Sequence, residues 1–92
     1  MEKNEIAALV QRSQSGDKEA FEALYREFHG KVFFYVRRFT NDAETAADLT
    51  SDTFAAAMER IGELRSGESF VGWLYSIAYI NVPGTSGTRL TG

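Results

Sequence analysis

Hydrophobic residues recur at the spacing of an α-helix in four successive segments of the chain. The clearest pattern lies in the second segment, where apolar side chains fall three or four residues apart for about five turns: Phe21, Leu24, Tyr25, Phe28, Val32, Tyr35, Val36 and Phe39. The first and fourth segments repeat the pattern more briefly, at Ile6, Leu9, Val10 and Ser13 and at Phe70, Trp73, Leu74 and Ile77. Strand-like alternation of apolar and polar residues is absent. The pattern predicts an all-α fold, a compact bundle of about four helices with short connections.

Polar residues at the ends of these segments predict where the helices start and stop. Asp17 has the residue type and the position of an N-cap for the second helix. Arg37 and Arg38 stand near the end of that helix, where cations interact favourably with the helix dipole. Ser66 or Ser69 is expected to cap the fourth helix.

The third helix is predicted from a capping box and a terminal glycine. Asn41 and Glu44 have the spacing of the box, and the helix is expected to run to Ile61 with Gly62 as its C-cap. The side chains of its predicted buried line are mostly small, and the line consists of Ala43, Ala47, Thr50, Phe54, Ala57 and Ile61. Side chains of this size would let a neighbouring helix approach closely.

An acidic face adjoins that buried line. At about 100° per residue, six residues share it: Asp48, Ser51, Asp52, Ala55, Met58 and Glu59. Most of the chain's excess negative charge lies here, because residues 42–61 contain five carboxylates and a single cation, Arg60. From the pattern alone a solvated helix surface is the better interpretation. The alternative is a docking strip for a basic helix, with carboxylates as charged acceptors and Met58 as an adaptable apolar contact.

Two further features allow either a structural or a binding interpretation. The loop 62–69, rich in glycine and serine, is a connector or a site for a small flat ligand or an extruded base. Tyr75 and Tyr79 lie off the buried stripe of the fourth helix, and either stack on bases or cover an adjacent helix. Phe33 and Phe34 lie off the stripe of the second helix, and either pack on neighbouring helices or form a partner surface.

The composition restricts the chemistry. Cysteine is absent and His29 is the single histidine, which excludes disulfides and thiolate sites and argues against a histidine metal cluster or a standard catalytic triad. Phosphate-binding GxGxxG and Walker patterns are absent, and no pair of carboxylates is flanked by the apolar residues that would raise a pKa for acid catalysis. We therefore expect no enzymatic activity, no metal and no cofactor.

Charge and hydropathy suggest where the protein works. The net charge of -3 argues against holding duplex DNA by bulk attraction. The N-terminal sequence has no signal-peptide pattern, and no apolar run reaches the length of a membrane span. The expected location is the cytoplasm, without a membrane partner.

Three stretches align, in order and at the right spacing, with one family. They are "GDKEAFEALYREFHGKVFFYVRRFT", "DAETAADLTSDTFAAAMERI" and "SFVGWLYSIA". Together they resemble region 2 of bacterial RNA polymerase sigma factors, of the extracytoplasmic-function (group IV) type, over about residues 5–79. The resemblance implies a transcription initiation domain that joins the RNA polymerase core to the promoter.

The resemblance assigns the acidic face to the polymerase. In such proteins the third helix docks on the coiled-coil clamp helices of the β′ subunit, which reverses the interpretation made from the pattern alone. The positions implied are Asp48, Ser51, Asp52, Ala55, Met58 and Glu59. Ser51 stands where Gln is common and Asp52 where Glu is common, so one or two hydrogen bonds to β′ are lost or bridged by water.

The resemblance also assigns the loop to promoter DNA. In the family this segment captures a flipped base of the −10 element, on the non-template strand, during promoter melting. The candidate residues are Leu64, Arg65, Ser66, Ser69, Phe70 and Asn81. Trp73 matches the family pattern but is expected to lie in the core. An anti-sigma factor is a further partner that the resemblance implies.

The chain departs from the family after Tyr79. Asn81 comes one residue later than the family's Asn and, on a helix, would point to the buried stripe. Pro83 disfavours helix at Val82, so the fourth helix is expected to end between Tyr79 and Asn81. The basic turns that hold DNA phosphates and the domain that reads the −35 element do not follow. We therefore expect a sigma domain at 1–80 and a non-family tail at 81–92, flexible or vector-derived, and weak DNA binding by the chain alone.

Two other functional classes compete with this one. The alternative is a helical interaction module that sequesters a basic helix without recognising DNA. A small helical enzyme would need a pair of groups titrating near neutral pH, and the sequence offers none.

Overall fold

The computed structural model describes residues 1–81, and all of its regular elements are helical. The α-helices are α1 (Lys3–Gln14), α2 (Lys18–Arg37), α3 (Ala43–Arg60) and α4 (Phe70–Asn81). Two short 3₁₀ turns, Ile61–Glu63 and Gly67–Ser69, lie between α3 and α4. This arrangement confirms the predicted all-α bundle. The predictions for the tail, from Val82 onwards, lie outside the described residues.

The core is built around α2, which packs against both α1 and α3. From α2 it takes Ala20, Phe21, Leu24, Phe28, Val32 and Val36. Their spacing follows the predicted stripe. The helical period also predicts Tyr25 and Phe39 in that stripe, but they are 37% and 45% exposed. Tyr25 lies at the edge of the stripe with its ring against Phe54, and Phe39 lies past the end of the helix, so neither faces the core.

The start of α3 differs from the prediction. The N-cap is Asp42, not Asn41, because Asp42 has the extended backbone of a cap and its carboxylate accepts hydrogen bonds from the backbone N–H and the hydroxyl of Thr45, at 3.1 and 2.6 Å. The predicted box between Asn41 and Glu44 is therefore wrong by one residue. The N-cap predicted for α2 is confirmed, since Asp17 accepts from the N–H groups of Glu19 and Ala20.

The end of α3 also differs. Gly62 does not form a left-handed C-cap but lies in a 3₁₀ turn that continues the helix. Among residues 1–81, Gly16 is the one residue with a positive φ, at 100°, in the tight turn between α1 and α2. A left-handed conformation is therefore used before α2 and not after α3.

The buried face of α3 is rotated from the predicted line in its first half. Ala43 and Ala47 are exposed, and the inner face consists of Ala46, Leu49, Thr50, Thr53, Phe54 and Ala57. Leu49 is the one large apolar side chain in this half, and its burial turns Ala46 and Thr53 inwards with it. The later positions of the predicted line, from Thr50 to Ile61, are buried as predicted.

Helix α4 closes the bundle against α3. Phe70, Leu74 and Ile77 are buried as predicted, and the half-buried Trp73 lies with its ring centroid 6.0 Å from that of Phe70. Ser66 caps the 3₁₀ turn that leads into α4, because its hydroxyl accepts from the N–H of Glu68 at 3.3 Å. Among the described residues, no helix is both long and apolar enough to cross a membrane.

Candidate functional site

The acidic face of α3 is fully available to a partner. All six of its residues are exposed: Asp48, Ser51, Asp52, Ala55, Met58 and Glu59. Within residues 1–81, its three carboxylates make no ion pair and no side-chain hydrogen bond. The structure therefore brings the whole predicted set together on one side of one helix, and its charge has no partner among the described residues.

An apolar groove borders this face where α3 meets the start of α2. Met58 is 49% exposed and overhangs a space of about 300 Å³ that Phe21 and Tyr25 also line. Lys18 and Glu22 stand at its rim. Sequence reasoning missed Tyr25 as a surface residue because its position at the edge of the stripe is decided by the contact with Phe54. Carboxylates beside a shallow apolar groove can bind a helix that carries both cations and apolar side chains.

The loop 62–69 exposes most of the residues predicted in it. Arg65, Ser66 and Ser69 are exposed, and Leu64 is half-buried. Phe70 has no exposed surface and supports the loop from beneath, with its ring 5.8 Å from that of Phe28. Asn81 is half-buried at the far end of α4, about 16 Å of helix away. The structure thus groups four of the six predicted residues and separates Phe70 and Asn81 from them.

Helix α1 holds this loop, a role that no pattern in the sequence predicts. The side-chain amide of Gln14 donates to the carbonyl oxygens of Ile61 and Leu64, each at 2.8 Å. Gly67 lies directly against Ala7, so close that a Cβ at this position would stand 2.8 Å from the Ala7 Cα. A cleft of about 370 Å³ runs between α1 and the loop, and Arg65 lines it.

A second groove, of about 500 Å³, lies between α2 and α4. Phe34 is 75% exposed beside it, and the rings of Tyr35 and Tyr75 meet edge to face at 5.0 Å. Burial raises the pKa of the Tyr75 hydroxyl, and the neighbouring Tyr35 adds to the shift. Lys31 and Arg38 complete the lining. Of the residues left open by the sequence, Phe34 is thus a surface residue, whereas Phe33 and Tyr75 pack partly against the core.

Among the described residues, the carboxyl groups with a shifted pKa lie at the N-termini of helices. The two carboxyl groups with lowered pKa values are the N-caps Asp17 and Asp42. Among residues 1–81, no three side chains of histidine, aspartate or glutamate converge as a metal site would require. The surfaces are suited to binding, because they consist of an acidic helix face and a loop with two exposed serines and one cation.

Comparison with known proteins gives these surfaces a context. Residues 24–79 match the family model described as Sigma-70 region 2. The chain is 39% identical over 70 residues to the RNA polymerase sigma-H factor of Pseudomonas aeruginosa, covering 76% of this chain and 36% of that protein. It is 41% identical over 71 residues to the ECF RNA polymerase sigma factor BldN of Streptomyces coelicolor, covering 76% of this chain and 27% of that protein. It is 35% identical over 71 residues to the ECF RNA polymerase sigma-E factor of Haemophilus influenzae, covering 77% of this chain and 37% of that protein. The chain spans about a third of the length of the curated relatives it matches.

Proposed function

This chain belongs to the sigma-70 region 2 family, and we propose on that premise that it acts as a transcription initiation domain of the extracytoplasmic-function type. Its activity has two parts, docking on core RNA polymerase and recognition of the promoter −10 element. Both are binding functions carried out in the cytoplasm without catalysis or a cofactor. An anti-sigma factor, which would regulate the domain by covering one of these surfaces, is a further proposed partner.

Docking uses the acidic face of α3. The observation that carries the proposal is that Asp48, Asp52 and Glu59 are exposed together and have no partner within residues 1–81. The clamp helices of the β′ subunit form a coiled coil, and their Arg and Lys side chains would make charge-assisted hydrogen bonds to these carboxylates. Met58 and the groove beside it would take an apolar side chain of the same partner. Ser51 and Asp52 have short side chains, so water bridges part of the contact.

Charge reversal on the acidic face tests the docking. The double variant Asp48→Lys and Asp52→Lys is expected to bind an isolated β′ coiled coil at least about tenfold more weakly, since like charges would now face the partner. Affinity is measured by pull-down and by titration at fixed salt. Glu63→Lys with Glu68→Lys is the control, because it makes the same change in net charge at two exposed positions off this face. Equal binding by the Asp48 and Asp52 variant would show that α3 is not the docking surface.

DNA recognition uses the loop 62–69. Its exposed hydroxyls, Ser66 and Ser69, and the cation Arg65 can hydrogen-bond to the edge of an unstacked base and approach the backbone phosphates. The net charge of -3 opposes the general attraction between protein and phosphates. We therefore propose base capture that is selective but weak in the chain alone, and that gains strength when the polymerase holds the DNA.

An NMR titration with short single-stranded DNA tests this part. At low salt, amide shifts are expected in residues 62–69 and not along the acidic face, with binding that weakens as salt is added. Tight binding in a mobility-shift assay would contradict the expected weakness. If the chain binds the β′ coiled coil but DNA causes no shifts in the loop, the alternative function is favoured, a helical interaction module that does not recognise DNA.

A further inference from the structure

We infer that α1 positions the base-reading loop, through Gln14 at one end of the loop and Gly67 at the other. This inference rests on the proposed function of the loop. It assigns to α1 a part in DNA reading although none of its residues need touch the DNA. The two contacts, named here the α1 clamp, are the hydrogen bonds of Gln14 to Ile61 and Leu64 and the packing of Gly67 on Ala7.

The Gln14 contact uses the full donor capacity of one side chain. An amide nitrogen carries two hydrogens, and each is donated to a different carbonyl at 2.8 Å, one at the first residue of the first 3₁₀ turn and one just after that turn. The Ile61 carbonyl also accepts the Leu64 N–H at 3.1 Å, so the turn and Gln14 are joined at one oxygen. Gln14 is the last residue of α1, and α1 packs on α2, so the contact ties the start of the loop to the core.

The Gly67 contact fixes the other end. The backbone of the loop can lie on α1 at this point only because residue 67 has no Cβ. Among the nearest atoms to an added Cβ are the Ala7 Cα at 2.8 Å and the Ala7 carbonyl oxygen at 3.1 Å. Because these are backbone atoms, they can move aside only if α1 itself moves. Any larger residue would lift the loop from the helix.

Arg65 and Ser66 lie between these two contacts and are exposed. A loop held at both points keeps the Ser66 hydroxyl and the Arg65 cation in one arrangement before DNA arrives. A loop that is free at one end must be ordered at the moment of binding, and that ordering reduces affinity and selectivity. Loss of the α1 clamp is therefore expected to reduce the selectivity for the captured base and to leave docking through α3 unchanged.

Substitutions at Gln14 test the first contact. Gln14→Leu removes both donors, and hydrogen exchange of the Leu64 and Ser69 amides is expected to rise about tenfold, the effect of losing hydrogen bonds of ordinary strength. Gln14→Lys should restore much of the protection because its ammonium group also has donors for both carbonyls. Gln11→Leu, the same change one turn earlier, is the control, since the Gln11 side chain makes no hydrogen bond to the described residues.

Substitutions at two glycines test the second contact. Gly67→Ala is expected to raise loop exchange and to lower DNA binding, whereas Gly30→Ala in α2 should do neither, because Gly30 lies outside the loop and a Cβ there meets nothing within 4 Å. Both variants are also titrated with the β′ coiled coil. Unchanged docking shows that α3 is intact and that the effect of Gly67→Ala is confined to the loop.

The function of the clamp is tested by base selection. The wild-type chain and each variant are incubated with a random pool of single-stranded DNA of about 12 nucleotides, and the bound fraction is sequenced. The wild type is expected to enrich one base at one position, and Gln14→Leu and Gly67→Ala to lose about tenfold of that preference. A wild-type pool without any preference would overturn the proposed function and the clamp's role in it. A wild-type preference that both variants retain, with unchanged loop exchange, would overturn this inference alone.

Discussion

The two buried threonines of α3 illustrate how single residues adapt to the core. The side chains of Thr50 and Thr53 are 4% and 0% exposed, and each hydroxyl donates to the carbonyl four residues earlier, at 2.8 and 2.7 Å. An unpaired hydroxyl in this position would cost about 1–3 kcal/mol. Because the bond is local, each threonine enters the core without a partner from another helix.

Substitutions of Thr53 separate its packing from its hydrogen bond. Thr53→Val keeps the shape and removes the hydroxyl together with its need for a partner, so the free energy of unfolding should stay within about 1 kcal/mol of wild type. Thr53→Ser keeps the hydroxyl and loses a buried methyl group, which is expected to cost about 1 kcal/mol. Urea unfolding measures both. If Val were clearly the more harmful of the two, the hydroxyl would contribute more than the methyl group.

At the scale of elements, two helices begin at a carboxylate whose pKa is lowered by the fold. The Arg12 guanidinium, which donates to Asp17 at 2.8 and 3.0 Å, is the largest cause of the low pKa of that carboxyl. For Asp42 the largest cause is the hydroxyl of Thr45. A carboxyl group with a lower pKa in the folded state stabilises the fold when it is ionised in both states. That contribution is complete above the ordinary value of 3.8 and is lost as the pH falls through the lower folded values.

Acid titration tests this linkage. The free energy of unfolding is expected to fall as the pH drops from about 5 to below the ordinary pKa of these carboxyl groups. Asp17→Asn can still accept the N–H bonds of α2 but no longer titrates, so its stability should decline less steeply than that of wild type. Asp48→Asn, which removes an exposed carboxylate without a partner in the described residues, is the control. Equal slopes for wild type and Asp17→Asn would contradict the role of Asp17.

Local signals predicted the elements well and their edges less well. The helical period of the second segment and the acid at Asp17 were sufficient for α2 and its N-cap. The start of α3 was misplaced because Asn41 and Asp42 are both good caps, and the choice between them depends on the backbone and on Thr45. Tyr25 was misplaced because a residue at the edge of a stripe faces inwards or outwards according to its neighbours in space.

At the scale of the whole molecule, the sequence predicted one of the two candidate surfaces more completely than the other. The acidic face lies on a single helix, so helical spacing alone groups Asp48 with Glu59. The loop surface depends on contacts between distant segments. Helical spacing cannot predict the contacts of Gln14 with Leu64 or of Gly67 with Ala7. Because the two surfaces are built in these different ways, substitutions are expected to impair docking and DNA reading separately.

The hydrogen bond between Gln14 and Leu64 joins residues 50 positions apart, and this separation bears on the order of folding. A contact distant in sequence must close a long segment of chain, and the entropic cost of closure rises with its length. The turn between α1 and α2 forms from neighbouring residues, whereas the loop reaches its place only when α1 and α3 already stand together. We therefore expect the loop to be among the last parts of residues 1–81 to take its final shape. A molecule able to select a base is then one that has finished folding.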